Sequence, residues 1–355
     1  MKVLHLPYNI GSKITLTVAA QRKINIEAKG IAVNNYLDEA GENVEVFNTK
    51  DYNYLNPKKY FEYTRANREI KQLILWSDVI HWYYDFKIFH SEKFINLIKE
   101  FKKPSVVEFL GSDVRIPEIL FPQNPYYKKI FSEDYLYKFE SLEQSRTVQK
   151  KFKDAGFEAL VRPELEQFIQ KDIFSSYIKI NNRIDVKRYT PAYPSSENKK
   201  ALIVHPVTDR SAKGTLYILD VINSLKKKYN FDLLLIENSE HKNVMQQLSK
   251  ADIVIDQLIL GAFGTISLEG MALGKPTVCF LTDDLQKKLP GIPLVNSNPD
   301  SIYSSLESLL VNPSLRNEIG KKSRQYVEEN HDSDKIAIQL KNIYEEVLKK
   351  KSSNK

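Results

Sequence analysis

The sequence predicts an α/β protein made of two Rossmann-like halves in series, finished by a helical C-terminus. Three observations carry that reading. Short apolar runs alternate with longer amphipathic ones along most of the chain, the pattern of βαβ units and a parallel sheet. The alternation breaks in a polar stretch over residues 175–200, through Ser175, Ser176, Asn181, Asn182, Pro191, Pro194, Ser195 and Ser196, and then starts afresh. A length of 355 residues suits about two domains of ~150 residues each.

In the first half, Val3 to Leu6 reads as a strand ending at Pro7, with a loop over Asn9-Ile10-Gly11-Ser12-Lys13. Further strands are expected at Asn43 to Phe47, Val79 to Trp82 and Ser105 to Phe109, with helices around Pro57 to Trp76 and Glu92 to Phe101. The second series opens with strand Ala201 to His205 and a helix over Gly214 to Tyr229. Strand Asp232 to Ile236, a helix near Val244 to Lys250 and strand Asp252 to Ile255 follow. Helix Gly264 to Leu273 is stopped by Gly274 and Pro276, before strand Thr277 to Leu281. Helices Asp300 to Leu310, Ser314 to Glu329 and Ser333 to Lys350 end the chain. Two such halves are expected to leave a ligand cleft between them.

Composition narrows the function classes. Hydrophobic residues make up 42% of the chain, which excludes a disordered or fibrous protein. A single cysteine, Cys279, forbids an intramolecular disulfide and argues against a cysteine-based zinc site. The opening apolar run is too short for a signal peptide, and no run approaches the roughly 18 apolar residues of a span. A cytoplasmic protein is expected. The net charge of +7 permits attraction to an anionic surface, and is also an ordinary mild basicity.

Two constellations carry chemistry. Gly261-Ala262-Phe263-Gly264-Thr265-Ile266-Ser267-Leu268-Glu269 follows a strand and opens a helix, whose unpaired N–H groups suit a phosphate. Gly264 permits close backbone approach, and Glu269 lies within reach of ribose hydroxyls. An ordinary βα turn with a surface Glu has the same pattern. After strand Ala201 to His205 comes Asp209-Arg210-Ser211-Ala212-Lys213-Gly214-Thr215. Its two cations, three residues apart, can flank one diphosphate, and without an anion they oppose the dipole of the helix they precede. A solvated loop is the alternative.

These stretches resemble the retaining glycosyltransferases of the bacterial family 4, or group 1, which have the GT-B fold. Lys213-Gly214-Thr215 is similar to the family's Lys-Gly element, and Gly264 through Glu269 to Gly274-Lys275-Pro276 is similar to its most specific stretch. The resemblance implies that Arg210 and Lys213 bind the donor's diphosphate, that Gly264, Thr265 and Ile266 hold it by backbone N–H, and that Glu269 holds ribose. It implies a first domain over 1–182 for the acceptor and a second over 183–331 for the donor. In the remaining 332–355 it implies a helix crossing back to the first domain, with a basic tail. The family's first glutamate, eight positions before Glu269, is Gly261 here. Asp256 and Gln257, at the end of the preceding strand, stand in as polar contacts.

In the first half, Gly11 follows the first strand where the family has a glycine-rich loop, and a plain turn is the alternative. Leu110-Gly111-Ser112-Asp113-Val114-Arg115 is similar to the family's His-Gly-Ser-Asp loop, with Leu110 in place of the His. Asp113 is the candidate to orient a hydroxyl, or else caps a helix or pairs with Arg115. His81, flanked by aromatics, reads as structural. Tyrosines and lysines cluster at Tyr52, Tyr54, Lys58, Lys59 and Tyr60 and again at Tyr126-Tyr127-Lys128-Lys129. Such mixtures suit sugar stacking, a membrane interface or single-stranded nucleic acid, and also occur as solvated helix faces. No metal site is expected, since the six histidines are scattered. The family is metal-independent. The expected activity is transfer from a nucleotide-diphosphate sugar, UDP ahead of GDP, to a glycan or glycolipid acceptor. Peripheral contact with an anionic membrane is expected, and a nucleic acid partner is not. A sugar-nucleotide epimerase or hydrolase and a non-catalytic homologue are the alternatives.

Overall fold

The computed structural model describes residues 1–33, 44–47, 56–85, 91–133 and 135–353. Tyr52, Tyr54 and the first residue of the strand expected at Asn43 lie outside them. Two wholly parallel sheets organise the chain. The first holds β1 (Lys2–Pro7), β2 (Glu27–Val33), β3 (Val44–Phe47), β4 (Val79–Tyr83), β5 (Ser105–Glu108), β6 (Glu158–Val161) and β7 (Ile178–Lys179). Its order is β3-β2-β1-β4-β5-β6-β7, so the chain switches direction across the sheet between β1 and β4. The second holds β8 (Leu202–Val207), β9 (Asp232–Glu237), β10 (Ile253–Ile255), β11 (Thr277–Cys279) and β12 (Val295–Asn296), in the order β12-β11-β10-β8-β9. There the switch falls between β8 and β10. Ligands of such sheets bind at the carboxyl ends of the strands beside the switch.

The strands are apolar because both faces are covered. In the first sheet Val3, Val79 and Val106 pack with Ile14 and Val18 of the helix Lys13–Lys23, and with Ile336, Leu340 and Tyr344 of the C-terminal helix Ser333–Ser353. In the second, Ile203, Ile253 and Val278 pack against Ile218 and Ile222 of the helix Thr215–Leu225 and Leu306 of the helix Ile302–Val311.

The chain divides into two compact units. One comprises Met1–Ile116, Phe139–Arg183 and Ser333–Lys355, and the other Pro117–Lys138 and Ile184–Asp332. The main crossing, after Arg183, falls inside the polar stretch. The segment Pro117–Lys138 goes with the second unit, unlike the continuous first domain expected over 1–182. The reason is side-chain chemistry: Asn124 Nδ2 donates to the Ile259 carbonyl at 2.5 Å, and the Tyr126 ring lies edge-on to Tyr217 at 5.9 Å.

Several elements differ from expectation. Strand β2 carries Lys29 and Gly30 and lacks a clear apolar alternation, yet Gly30 is required: a Cβ there would lie 2.6 Å from Ile14 Cγ2. Lys13 opens a helix instead of closing a loop. Strands β6, β7 and β12 are two to four residues long, below any usable period.

Candidate functional site

In the second unit Arg210, Lys213, Glu237 and Asp256 lie at or just beyond the carboxyl ends of β8, β9 and β10. Strand β8 lies between the other two, pairing Val207 with Glu237 of β9 and Ile203 with Ile253 of β10. After β8, Asp209 caps a single helical turn, Arg210–Lys213, by accepting from the Ala212 N–H at 3.0 Å. Gly214 then takes φ +73°, with Ile259 Cγ1 3.1 Å from where a Cβ would stand, and the helix Thr215–Leu225 begins. The two cations of that turn face opposite neighbours. Arg210 donates Nε and Nη2 to the two oxygens of Glu237, both at 2.7 Å, in a half-exposed fork. Lys213 is buried and donates to Asp256 Oδ1 at the end of β10.

Asp256 is fully buried and its other oxygen organises the next turn. Oδ2 accepts from the Gly264 N–H at 3.2 Å, the Ser267 N–H at 3.2 Å and the Ser267 hydroxyl at 2.5 Å. Burial pushes this carboxyl up, but Lys213 and these donors outweigh it and hold the group below the ordinary aspartate value. The helix Thr265–Ala272 thus starts with a carboxylate on two of its N–H groups. The Thr265 and Ile266 N–H groups between them have no protein partner among the described residues. Gly264 is extended, at φ −107°, and a Cβ there would sit 3.4 Å from Asp256 Oδ2. Gln257 uses its side-chain amide to brace the Ala262 carbonyl.

Glu269 is buried on that helix. Its Oε1 receives His241 Nε2 at 2.6 Å and the Tyr189 hydroxyl at 3.2 Å, while Oε2 is buried without a partner. Burial and this carboxylate push the Tyr189 phenol upward, so it stays a donor. The position of the family's first glutamate has a backbone explanation. Gly261 takes φ +71°, and a Cβ there would stand 2.6 Å from Thr282 Cγ2. No glutamate fits this turn as built.

The first unit treats its candidates differently. Asp113 is fully buried and turned back on its own loop, accepting from the Gly111 N–H at 2.8 Å and the Leu110 N–H at 3.1 Å. Burial raises its pKa to about 7. Arg115 pairs with Glu140, and the Ser112 hydroxyl meets the Tyr84 hydroxyl at 2.9 Å. Gly111, at φ +143°, leaves room for the Arg115 guanidinium, which a Cβ would approach to 3.1 Å. Gly11 and Ser12 are both left-handed, at φ +58° and +54°, and the helix behind them is capped by Asn9 Oδ1, which accepts from the Ile14 N–H at 2.9 Å. His81 is buried within 3.3 Å of Glu108, in the core of the unit. Of the tyrosine–lysine stretches, Tyr127 is core, while Lys128 and Lys129 are exposed on the helix Pro125–Glu133 of the second unit. Tyr60 and Lys58 are exposed on the helix Pro57–Trp76.

The structure therefore gathers Arg210, Lys213, Gln257, Gly264, Thr265, Ile266 and Glu269 in one unit, and Gly11, Gly111, Ser112, Asp113 and Arg115 in the other. Sequence reasoning missed Glu237, His241, Tyr189 and Ser267. Only Glu237 carried a signal, as a charge closing an apolar strand. Among the described residues, no three His, Cys, Asp or Glu side chains converge as a metal-ligand set, and no helix is long and apolar enough to cross a membrane.

No known family profile matches the chain. An uncharacterised glycosyltransferase of Methanocaldococcus jannaschii is 23% identical over 251 residues, covering 61% of this chain and 63% of that protein. Among solved structures, the sucrose-phosphate synthase of Thermosynechococcus elongatus superposes with a TM-score of 0.62 at 14% identity, over 98% of each chain. Anabaena HepE, solved in complex with UDP-glucose, gives 0.58 at 13% identity, over 98% of this chain and all of that one. The two solved proteins are GT-B glycosyltransferases, and this chain shares their fold.

Proposed function

We propose that the protein is a retaining glycosyltransferase that moves a sugar from a nucleotide-diphosphate sugar to an acceptor hydroxyl. One observation carries the reading. The carboxyl end of one sheet presents two cations, two N–H groups at a helix start and a buried carboxylate oxygen, the N–H groups and that oxygen without a partner among the described residues, the complement of a nucleoside diphosphate. In this reading Arg210, Lys213 and the Thr265 and Ile266 N–H groups hold the diphosphate, and Glu269 Oε2 accepts from ribose. His241 and Tyr189 keep that carboxylate aimed. The M. jannaschii relative and the UDP-glucose complex of HepE support the class and favour UDP over GDP.

The bond from the anomeric carbon to the diphosphate breaks, and the acceptor oxygen bonds to the same face of that carbon. The acceptor's proton passes to the departing phosphate oxygen, giving a glycoside and a nucleoside diphosphate. The chain's task is to stabilise charge growing on the leaving group, which fixed donors do well in a partly desolvated site. No divalent metal is required, because side-chain cations and N–H groups meet that charge. The first unit supplies the acceptor side. Its acceptor is a glycan or glycolipid of the cell surface, met at an anionic membrane face through the chain's net charge of +7.

A panel of nucleotide sugars tests this. UDP-sugars should raise the melting temperature and be turned over, with the product keeping the donor's anomeric configuration by NMR and the rate surviving EDTA. Stabilisation by no nucleotide sugar would end the reading. Stabilisation without turnover on any acceptor would favour a non-catalytic binder, in keeping with the missing glutamate at Gly261.

A further inference from the structure

We infer that Asp256 and Glu237 are internal counter-ions that compete with the diphosphate for Lys213 and Arg210, so that the ligand enters by ion exchange. The inference rests on the donor reading above and adds two residues to it. Each cation of the turn Arg210–Lys213 is already held by a carboxylate from a flanking strand end: Arg210 by Glu237 at the end of β9, and Lys213 by Asp256 after β10. The four groups sum to zero charge. A diphosphate arriving at this cluster meets no free cation, and must draw Arg210 and Lys213 away from their carboxylates.

Once the cations move, the two carboxylates behave differently. Asp256 stays in place when Lys213 leaves, because Oδ2 is fixed by the Gly264 and Ser267 N–H groups and the Ser267 hydroxyl. It also determines where a phosphate can sit, since it takes the N–H groups of Gly264 and Ser267 and leaves those of Thr265 and Ile266. Glu237 is part-exposed and is free to turn into solvent. Asp256 therefore acts continuously on the bound phosphate, and Glu237 only on its entry and exit. The consequence is restrained diphosphate affinity, which favours release of the product nucleoside diphosphate.

Calorimetric titration with inorganic pyrophosphate, and in parallel with UDP, tests this on the full chain. In Asp256→Asn the amide oxygen can replace Oδ2 and keep the turn, while the NH2 group faces Lys213 and frees it. Pyrophosphate should bind roughly tenfold more tightly, as for loss of one charged hydrogen bond at a buried site. The gain should vanish when Lys213→Ala is added. Glu237→Gln should tighten binding by up to about fivefold, the range of an exposed ion pair. Unchanged or weaker pyrophosphate binding in Glu237→Gln, or an Asp256→Asn gain that survives loss of Lys213, overturns the inference. Because Glu237 is exposed, that variant decides the matter even if Asp256→Asn does not fold. UDP binding no tighter than pyrophosphate would sink the nucleotide reading alone and leave the counter-ion exchange standing.

Discussion

Both units pair an arginine with a glutamate, one pair sealed from water and the other half open to it. In the first unit Arg183 is sealed in the core, donating to both Glu108 oxygens at 3.1 and 2.9 Å, to the Tyr83 hydroxyl at 3.2 Å and to Thr17 Oγ1 at 2.5 Å. Around it, His5 bonds to Tyr83 at 2.9 Å and Gln21 at 2.8 Å, and Tyr344 of the C-terminal helix joins Gln21 to His81. Burial favours the protonated form of Glu108, but Arg183 and His81 outweigh it and hold the carboxyl far below its ordinary range. In the second unit Arg210 and Glu237 form an equally well-aligned fork, half open to water. Access to water sets what each pair can do. A charge that cannot reach water cannot exchange partners, so Arg183 anchors the core, whereas Arg210 can trade Glu237 for a ligand.

Removing one partner of each pair should separate the two by their effects. Glu108→Ala leaves Arg183 buried and uncompensated, and should destabilise the first unit by about 3–5 kcal/mol, read as a lowered denaturant midpoint. A loss indistinguishable from that of a surface variant would mean the pair is not sealed. Arg210→Ala should instead leave the unfolding midpoint where it is and lower kcat by about 10²–10³-fold, as for other lost donors to a developing anion. Near-normal turnover with saturating donor would remove Arg210 from the chemistry.

Glu269→Ala lies between these extremes, because the side chain is buried yet keeps one oxygen free. It should raise donor KM roughly ten- to hundredfold and lower kcat less, since a ribose contact is much the same in the ground and transition states. Wild-type protein should also bind ribonucleoside diphosphates more tightly than their deoxy forms. Equal affinity would dissolve the ribose contact.

A further effect, on stability against pH, is one the units share. His81 in the first and His205 in the second are both pressed down by burial to about 4, from 6.5 in the unfolded chain. Between those values the unfolded state binds more protons, so stability should fall as pH drops from about 6.5 to 4 and level off below. His205 Nδ1 donates to the Ile255 carbonyl at 2.9 Å, and Nε2 then accepts from the Thr215 hydroxyl at 3.0 Å. Urea midpoints against pH should be flatter for His205→Gln. A slope identical to wild type would remove His205 from the acid response.

The α/β class, the break inside residues 175–200 and most long elements are legible in local sequence pattern. The helix Pro57–Trp76 was legible to the residue, because twenty residues carry several turns of periodicity. The sequence also picked out the turn at Arg210–Lys213 and the helix start at Gly264, because strand-to-helix turns leave local marks in Gly, Asp and Lys. The remaining features depend on contacts between elements distant in sequence. Strand β2 depends on Gly30 lying under Ile14, and β7 and β12 exist because neighbouring strands supply their hydrogen bonds. Arg210 and Lys213 were legible as cations, but their partners Glu237 and Asp256 come from strands that lie beside β8 only in the folded sheet. His241 and Tyr189 reach Glu269 across 28 and 80 positions of sequence. Local spacing encodes what the backbone does within a few residues. Which carboxylate holds which cation is set by strand order, and no short pattern carries that.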